Sequence, residues 1–301
     1  MAAQLHVSVG NLNLDIIMLV PGLPGPEETI RAEKVFVGLG GSATNYAVAA
    51  SILKQRVYLV TRIGREAEGL GFIKKLRETG IDLSYAESTD ENMGIAVSLV
   101  LPGGYRALIS NPGANKELRG SLIPCIKEEG LKILHLASVP PRVIIEAENV
   151  LSCYDYISYD PGAEALIRPL AVRNVLPKIN TLFLNMREYE SLFNNQNPAK
   201  IIAGAKGRLE RIIVKRGPAG AVYADKNETL EVEPVRIGEP VDTTGAGDAF
   251  DAAFNIFIQE EEPLIALQKA TVYAALKTLK IGASSMPSLE EFNKILAEIT
   301  E

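Results

Sequence analysis

The chain has 301 residues, a net charge of −6 at neutral pH, 47% hydrophobic residues and 23% charged residues. That balance excludes a disordered chain, a collagen-like repeat and a coiled coil, and the length suits two domains or one large α/β domain with an appendage. The acidic sign disfavours a protein that wraps phosphate backbones, so no nucleic-acid partner is expected.

In chain order, short apolar runs that read as strands cover 5–10, 56–62, 131–137, 154–160, 181–185 and 211–215. Between them, amphipathic helix patterns cover 43–53, 66–79, 142–152, 164–175 and 198–207. Three more helices follow, over 248–259, 263–279 and 289–299. The last opens with a capping box, Ser288 as N-cap and Glu291 at N3. Alternation of this kind predicts an α/β fold, a Rossmann-like, mostly parallel sheet flanked by helices on both faces.

Two segments break the rhythm. Residues 12–37 contain Pro21, Pro24 and Pro26, and residues 92–110 hold two strand patterns around Pro102-Gly103-Gly104, a hairpin signal. Both are expected in a small antiparallel β-sheet lid, with 1–11, 38–91 and 111–301 forming the α/β domain. An open lid edge offers a route to a homodimer.

The N-terminus reads directly as a strand, not as a cleavable leader, and no apolar run approaches the roughly 20 residues of a membrane span. No membrane partner and a cytoplasmic location are therefore expected. Cys125 and Cys153 are the only cysteines. They are expected as small buried apolar residues in a reducing compartment. His6 and His135 lie in apolar strands and are expected in the core, which disfavours a zinc site or a Ser-His-Asp triad.

The sharpest motif is Val241-Asp-Thr-Thr-Gly-Ala-Gly-Asp-Ala-Phe250, an extended segment entering a helix. Gly245, Ala246 and Gly247 let a ligand approach the backbone. Their N–H groups at a helix start form an anion site. Asp248, in the first helical turn, is either a cap or a proton acceptor, and the paired glycines favour the acceptor. The helix that follows is apolar almost all round, which predicts burial. A second motif, Val37-Gly-Leu-Gly-Gly-Ser-Ala-Thr-Asn45, runs into a helix with Ser42 as expected N-cap. Gly40 and Gly41 leave room for a ligand and Asn45 offers an amide. Neither Gly-x-Gly-x-x-Gly nor a P-loop is present. Asn11, Asn13 and Asp15 alternate with leucines after the first strand and suit a hydroxyl-rich ligand or a turn. Asn185 and Glu188 close a strand with an amide and a carboxylate that suit hydrated Mg²⁺. Lys215 to Gly220 form a turn that can border a nucleotide.

Together these segments resemble the ribokinase-like carbohydrate kinase family, the phosphofructokinase B type, over nearly the whole chain and in the family's order. Asp242-Thr-Thr-Gly-Ala-Gly-Asp248 is similar to its C-terminal signature, Gly40-Gly41-x-x-x-Asn45 to its N-terminal one, and Asn185-x-x-Glu188 to its Asn-x-x-Glu element. The resemblance implies an ATP-dependent kinase that phosphorylates a hydroxymethyl group of a sugar or nucleoside, with Mg²⁺. It implies that Asp248 is the general base and that Gly245, Ala246 and Gly247 form the anion hole. Asn13, Asp15, Gly40, Gly41 and Asn45 would hold the acceptor. Asn185, Lys215, Gly217, Gly220, Gly247 and Ala283 would border ATP. Asn185 and Glu188 would serve Mg²⁺, partly through water, and Asp242 and Thr244 an activating monovalent cation such as K⁺. A nucleoside acceptor, or a non-catalytic sensor on the same fold, are the alternatives. Two positions depart from ribokinases: Ser42 stands where they usually have Lys, and Ala137 or Ser138 where they have a sugar-binding Glu.

Overall fold

The structure, a computed structural model, describes residues 4–102 and 106–300, apart from the side chains of Arg106 and Thr300. Gly103, Gly104 and Tyr105, at the expected hairpin turn, lie outside the described residues.

Among the described residues the main sheet has nine strands. Their spatial order is Thr229–Val232, Ala221–Ala224, Arg211–Lys215, Thr181–Asn185, Tyr156–Asp160, Lys132–Ala137, Leu5–Gly10, Arg56–Val60, Ile81–Asp82. The seven strands from Arg211–Lys215 to Ile81–Asp82 pair in parallel, and the two at the other edge are antiparallel. Leu5–Gly10 is buried at every position, which explains its near-continuous apolar run: a parallel sheet is covered on both faces. One core cluster joins Tyr46, Leu59, Phe254 and Tyr273 on one face, and another joins Val7, Ile144, Val172 and Leu192 on the other. Register brings the strand ends together, with Gly10 opposite Ala137, Ala137 opposite Asp160, and Asn185 opposite Lys215. The carboxyl edge of such a sheet is where open α/β folds bind ligands.

Several expected elements are divided. Residues 56–62 bend away at Thr61, so that Arg62–Ile63 pairs with Glu87–Ser88 and not with the main sheet. The 66–79 pattern splits at Gly71, which is left-handed with φ 73°. The 164–175 pattern splits at Arg168, because the following Pro169 disfavours helical geometry before it. Residues 141–146 are α-helical, but 148–153 tighten to a 3₁₀-helix.

The second sheet has the order Lys34–Gly40, Asn13–Leu19, Gly94–Val100, Arg106–Asn111. The expected antiparallel lid is in fact mixed. Its two central strands, Asn13–Leu19 and Gly94–Val100, run parallel with Asn13 opposite Gly94, since both leave the main domain from the same base. The outer strands pair antiparallel.

The cysteines differ from expectation too. Cys125 is exposed and Cys153 half-buried, and they form a disulfide with Cα atoms 5.5 Å apart. The loop at Cys125 meets the end of the 3₁₀-helix at Cys153, 28 residues on, a proximity that composition does not reveal. Among the described residues no helix is long and apolar enough to cross a membrane.

Candidate active site

Helix Ala246–Phe257 begins at Gly245, which has φ 81° and lies against the Ala283 carbonyl, where a Cβ would overlap it. Only glycine fits that position. The helix is buried from Ala249 to Phe257. Its polar stripe faces inward: Asp251 meets Lys215, and Asn255 Nδ2 donates to Ser158 Oγ at 2.7 Å and to Tyr46 Oη at 3.0 Å. His6 joins this network through Tyr46, and His135 through Ser158. Burial pushes both imidazoles down to about 3, so they are neutral core groups.

Asp248 sits half-exposed at the helix start. Asn45 Nδ2 donates to its Oδ2 at 2.8 Å, and Ser284 Oγ donates to Asn45 Oδ1 at 2.7 Å. Burial raises the Asp248 carboxyl to about 6 against the pull of Asn45, with Asp160 adding to the rise and Lys215 and Ser42 opposing it. A carboxyl in that range accepts a proton at neutral pH.

Asn45 reaches Asp248 from helix Ser42–Ile52. The N-cap of that helix is Gly41, with φ 99°, and not Ser42. A Cβ on Gly41 would overlap the Asn11 carbonyl, whose oxygen accepts from Thr44 N and Thr44 Oγ1. Ser42 instead accepts from Ser138 Oγ at 3.2 Å. Asp15 and Asn13 lie on the lid face turned toward this loop. A Cβ on Gly40 would overlap the Asp15 carboxylate. Burial, then the charges of Asp248 and Asp242, raise Asp15 to about 7. Its Oδ1 is buried without a partner, an atom placed for a ligand hydroxyl. Asn13 Oδ1 accepts from Asn115 Nδ2 at 3.0 Å, and Asn115 also clamps the Leu12 backbone.

Asn185 and Glu188 form a reciprocal capping box. Asn185 N and Nδ2 donate to the Glu188 carboxylate at 2.8 and 2.6 Å, and Glu188 N donates to Asn185 Oδ1. Burial and the charge of Asp160 raise Glu188 to about 7. One carboxylate with both oxygens already accepting fits a water-mediated partner of Mg²⁺ and not a direct cage. Among the described residues no cluster of three His, Cys, Asp or Glu suits a metal.

The Lys215 ammonium is held by two carboxylates of the chain itself. Its Nζ donates to Asp160 Oδ2 at 2.6 Å and to Asp251 at 2.8 and 3.0 Å, directly beneath Gly247. Burial works against the ammonium, but the two carboxylates outweigh it and raise its pKa. Gly217 and Gly220, with φ 56° and 81°, shape the turn itself, and a Cβ on Gly220 would overlap the Val232 carbonyl. Ala283 is buried under Gly245. Asp242 Oδ1 accepts from Thr244 N and Oδ2 from Gly282 N, both at 2.9 Å, so the carboxylate stitches the two loops.

Sequence reasoning did not single out Asn115, Asp160 and Lys277, which the structure brings against Asn13, Lys215 and Asp242. The Asp251 position was visible only as one member of a helical stripe.

Residues 3–290 match the profile of the pfkB family carbohydrate kinases. The chain is 29% identical to a deoxyribokinase of Salmonella typhi, with 96% of this chain and 97% of that protein covered. In three dimensions it is similar to a nucleoside kinase of Methanocaldococcus jannaschii (TM-score 0.86, 22% identity, 98% of each chain). It is also similar to a putative ribokinase II of Escherichia coli in complex with ATP and Mg²⁺ (TM-score 0.81, 22% identity, 98% of this chain and 99% of the other). The chain belongs to the pfkB family of carbohydrate kinases. It is a sugar or nucleoside kinase of ribokinase-like fold, a phosphotransferase with an alcohol group as acceptor.

Proposed function

We propose that this enzyme transfers the γ-phosphoryl group of ATP to a hydroxymethyl group of a pentose-type sugar or of a nucleoside, with Asp248 as general base. The observation that carries the reading is the half-exposed Asp248 carboxylate, held by Asn45 at the N-terminus of a buried helix beside the backbone amides of Gly245, Ala246 and Gly247. Asp248 takes the hydroxyl proton as the alcohol oxygen attacks. The N–H groups of Gly245, Ala246 and Gly247 receive the charge that develops on the phosphoryl oxygens. Such transfer depends on positioning and charge stabilisation. Mg²⁺ bound with the nucleotide would neutralise phosphate charge, with Asn185 and Glu188 as its partners through water. A relative whose structure contains ATP and Mg²⁺ supports this donor. Asn13, Asp15 and Gly40 hold the acceptor hydroxyls. Gly217, Gly220 and Ala283 border ATP, while Lys215 acts from below the anion hole. A cytoplasmic location is the reading we attach to ATP as donor.

The lid, residues 12–37 and 92–110, closes over the acceptor and excludes water. Its inner face carries Asn13 and Asp15. Its outer face carries Val35, Val37 and Ile109, which are 52%, 59% and 64% exposed; Val37 and Ile109 share one cross-strand row through Ile16 and Val97, and Val35 lies in the next row. An apolar patch of this size supports pairing of two copies through the lid face and not through its edge. A monomer by light scattering would overturn that pairing.

A nucleoside is the second reading. Ser42 and Ser138 are small and touch each other where a Lys and a Glu stand in ribokinases, which leaves room for a bulkier acceptor. A kinase assay with Mg²⁺ and ATP against ribose, deoxyribose, other sugars and nucleosides tests both readings. Absence of phosphoryl transfer to any of them would remove the proposal, and turnover confined to nucleosides would select the second reading.

A further inference from the structure

Lys277, near the end of helix Pro263–Thr278, is fully buried. Its Nζ donates to the carbonyl oxygen of Lys280 at 3.1 Å and lies 3.4 Å from that of Asp242. It forms no ion pair among the described residues. An ammonium buried against carbonyl oxygens alone is costly, because neutral acceptors compensate lost hydration only in part. Its place in the fold explains why it is kept. Lys280 opens one loop and Asp242 opens the other, and these two loops carry Ala283 and Gly245 into contact. They are the loops in which the family resemblance implies a monovalent cation, and backbone carbonyls are the ligands that K⁺ takes. Here one carbonyl of each loop, that of Asp242 and that of Lys280, already faces a positive charge, and both Asp242 carboxylate oxygens already accept backbone N–H groups. The residues present do not fit an added cation.

We propose that the Lys277 ammonium replaces the monovalent cation, tying the Asp242 and Lys280 loops together from within the chain, so that this enzyme needs no K⁺. Lys277 is then a positioning residue, acting through the loop that ends at Gly245. The proposal rests on the kinase reading above.

The first test compares wild-type turnover with Mg²⁺-ATP in buffers whose only other cation is tetramethylammonium or K⁺, and the expected rates are equal. Activation by K⁺ of about tenfold, the scale of an ordinary effector coupling, would overturn the proposal. The second test compares Lys277→Ala, which opens space, with Lys277→Met, which fills it without charge. Both should lose turnover, and K⁺ should restore only the Ala variant. Loss in both without rescue assigns Lys277 a purely structural role and overturns the proposal. A melting titration provides a readout without substrate: K⁺ should raise the melting temperature of Lys277→Ala over that in tetramethylammonium and leave the wild type unmoved. Specific stabilisation of the wild type by K⁺ would also overturn the proposal. If the Ala variant does not fold, the wild-type comparisons decide. Failure to find any phosphoryl acceptor would remove the kinase reading, whereas the melting titration still judges Lys277.

Discussion

Asn45 Nδ2 donates to Asp248 Oδ2 over 2.8 Å, although 203 residues separate the two in sequence. Ser284 holds the other end of the same amide. Three distant segments therefore aim one carboxylate. The amide also sets its chemistry, since a donated hydrogen bond favours the ionised form that burial disfavours.

Replacing the base removes the proton acceptor and little else. Asp248→Asn should lower turnover about 100-fold or more, the usual share of general-base catalysis, while calorimetric ATP affinity stays near wild type. Near-wild-type turnover would take Asp248 out of the mechanism.

Activity should fall as pH drops through about 6, where Asp248 takes up its proton. Asn45→Ala withdraws the bond that favours the carboxylate, so the acid limb of the kcat/KM profile should move to higher pH. A limb that stays in place would mean that Asn45 serves substrate alone.

Stability should run the opposite way. Asp15 and Glu188 are raised to about 7 and Asp248 to about 6. A raised folded-state pKa gives stability that is complete below the unfolded value and is lost as pH rises through the folded value. The unliganded protein should therefore melt at higher temperature as pH falls from about 8 to about 5. His6 and His135, lowered from 6.5 to about 3, oppose this below about 6.5, but two neutral imidazoles set against three raised carboxyls leave a net rise; Asp160, whose pKa is lowered, opposes it only at more acid pH. Asp15→Asn should flatten the dependence in a thermal scan. A melting temperature that instead falls over this range would contradict the burial of these carboxyls.

The two glycines of the anion hole should fail differently. Gly245→Ala meets the Ala283 carbonyl at φ 81° and should cost more than about 1 kcal/mol in urea unfolding. A Cβ on Gly247 meets only the end of the Lys215 side chain, with Nζ at 3.3 Å. That variant should fold as wild type yet lose turnover, because the methyl group crowds the phosphoryl path.

Lys215→Met strips two buried carboxylates of their shared cation and should cost about 3–5 kcal/mol. Asp251→Asn should cost less, since Asp160 still holds the ammonium. Equal losses by urea titration would show that Asp160 contributes nothing.

Much of this protein was legible in one dimension. Thr181–Asn185 and Arg211–Lys215 are strands over the ranges that their apolar runs predict. Ser288 and Glu291 form the expected capping box. The Gly-Ala-Gly turn opens a buried helix as its composition predicts. These features are local: side-chain periodicity, capping and backbone freedom act within a few residues, and a sequence records them directly. What tertiary structure alone decided are meetings between distant segments. Parallel pairing of Asn13–Leu19 with Gly94–Val100, the Cys125–Cys153 bridge, the pairing of Lys215 with Asp160 and Asp251, and the seat of Lys277 between two loops all depend on where the main sheet delivers its strand ends. Residue spacing along a chain holds no record of those distances, because they are set by how the helices pack on the sheet.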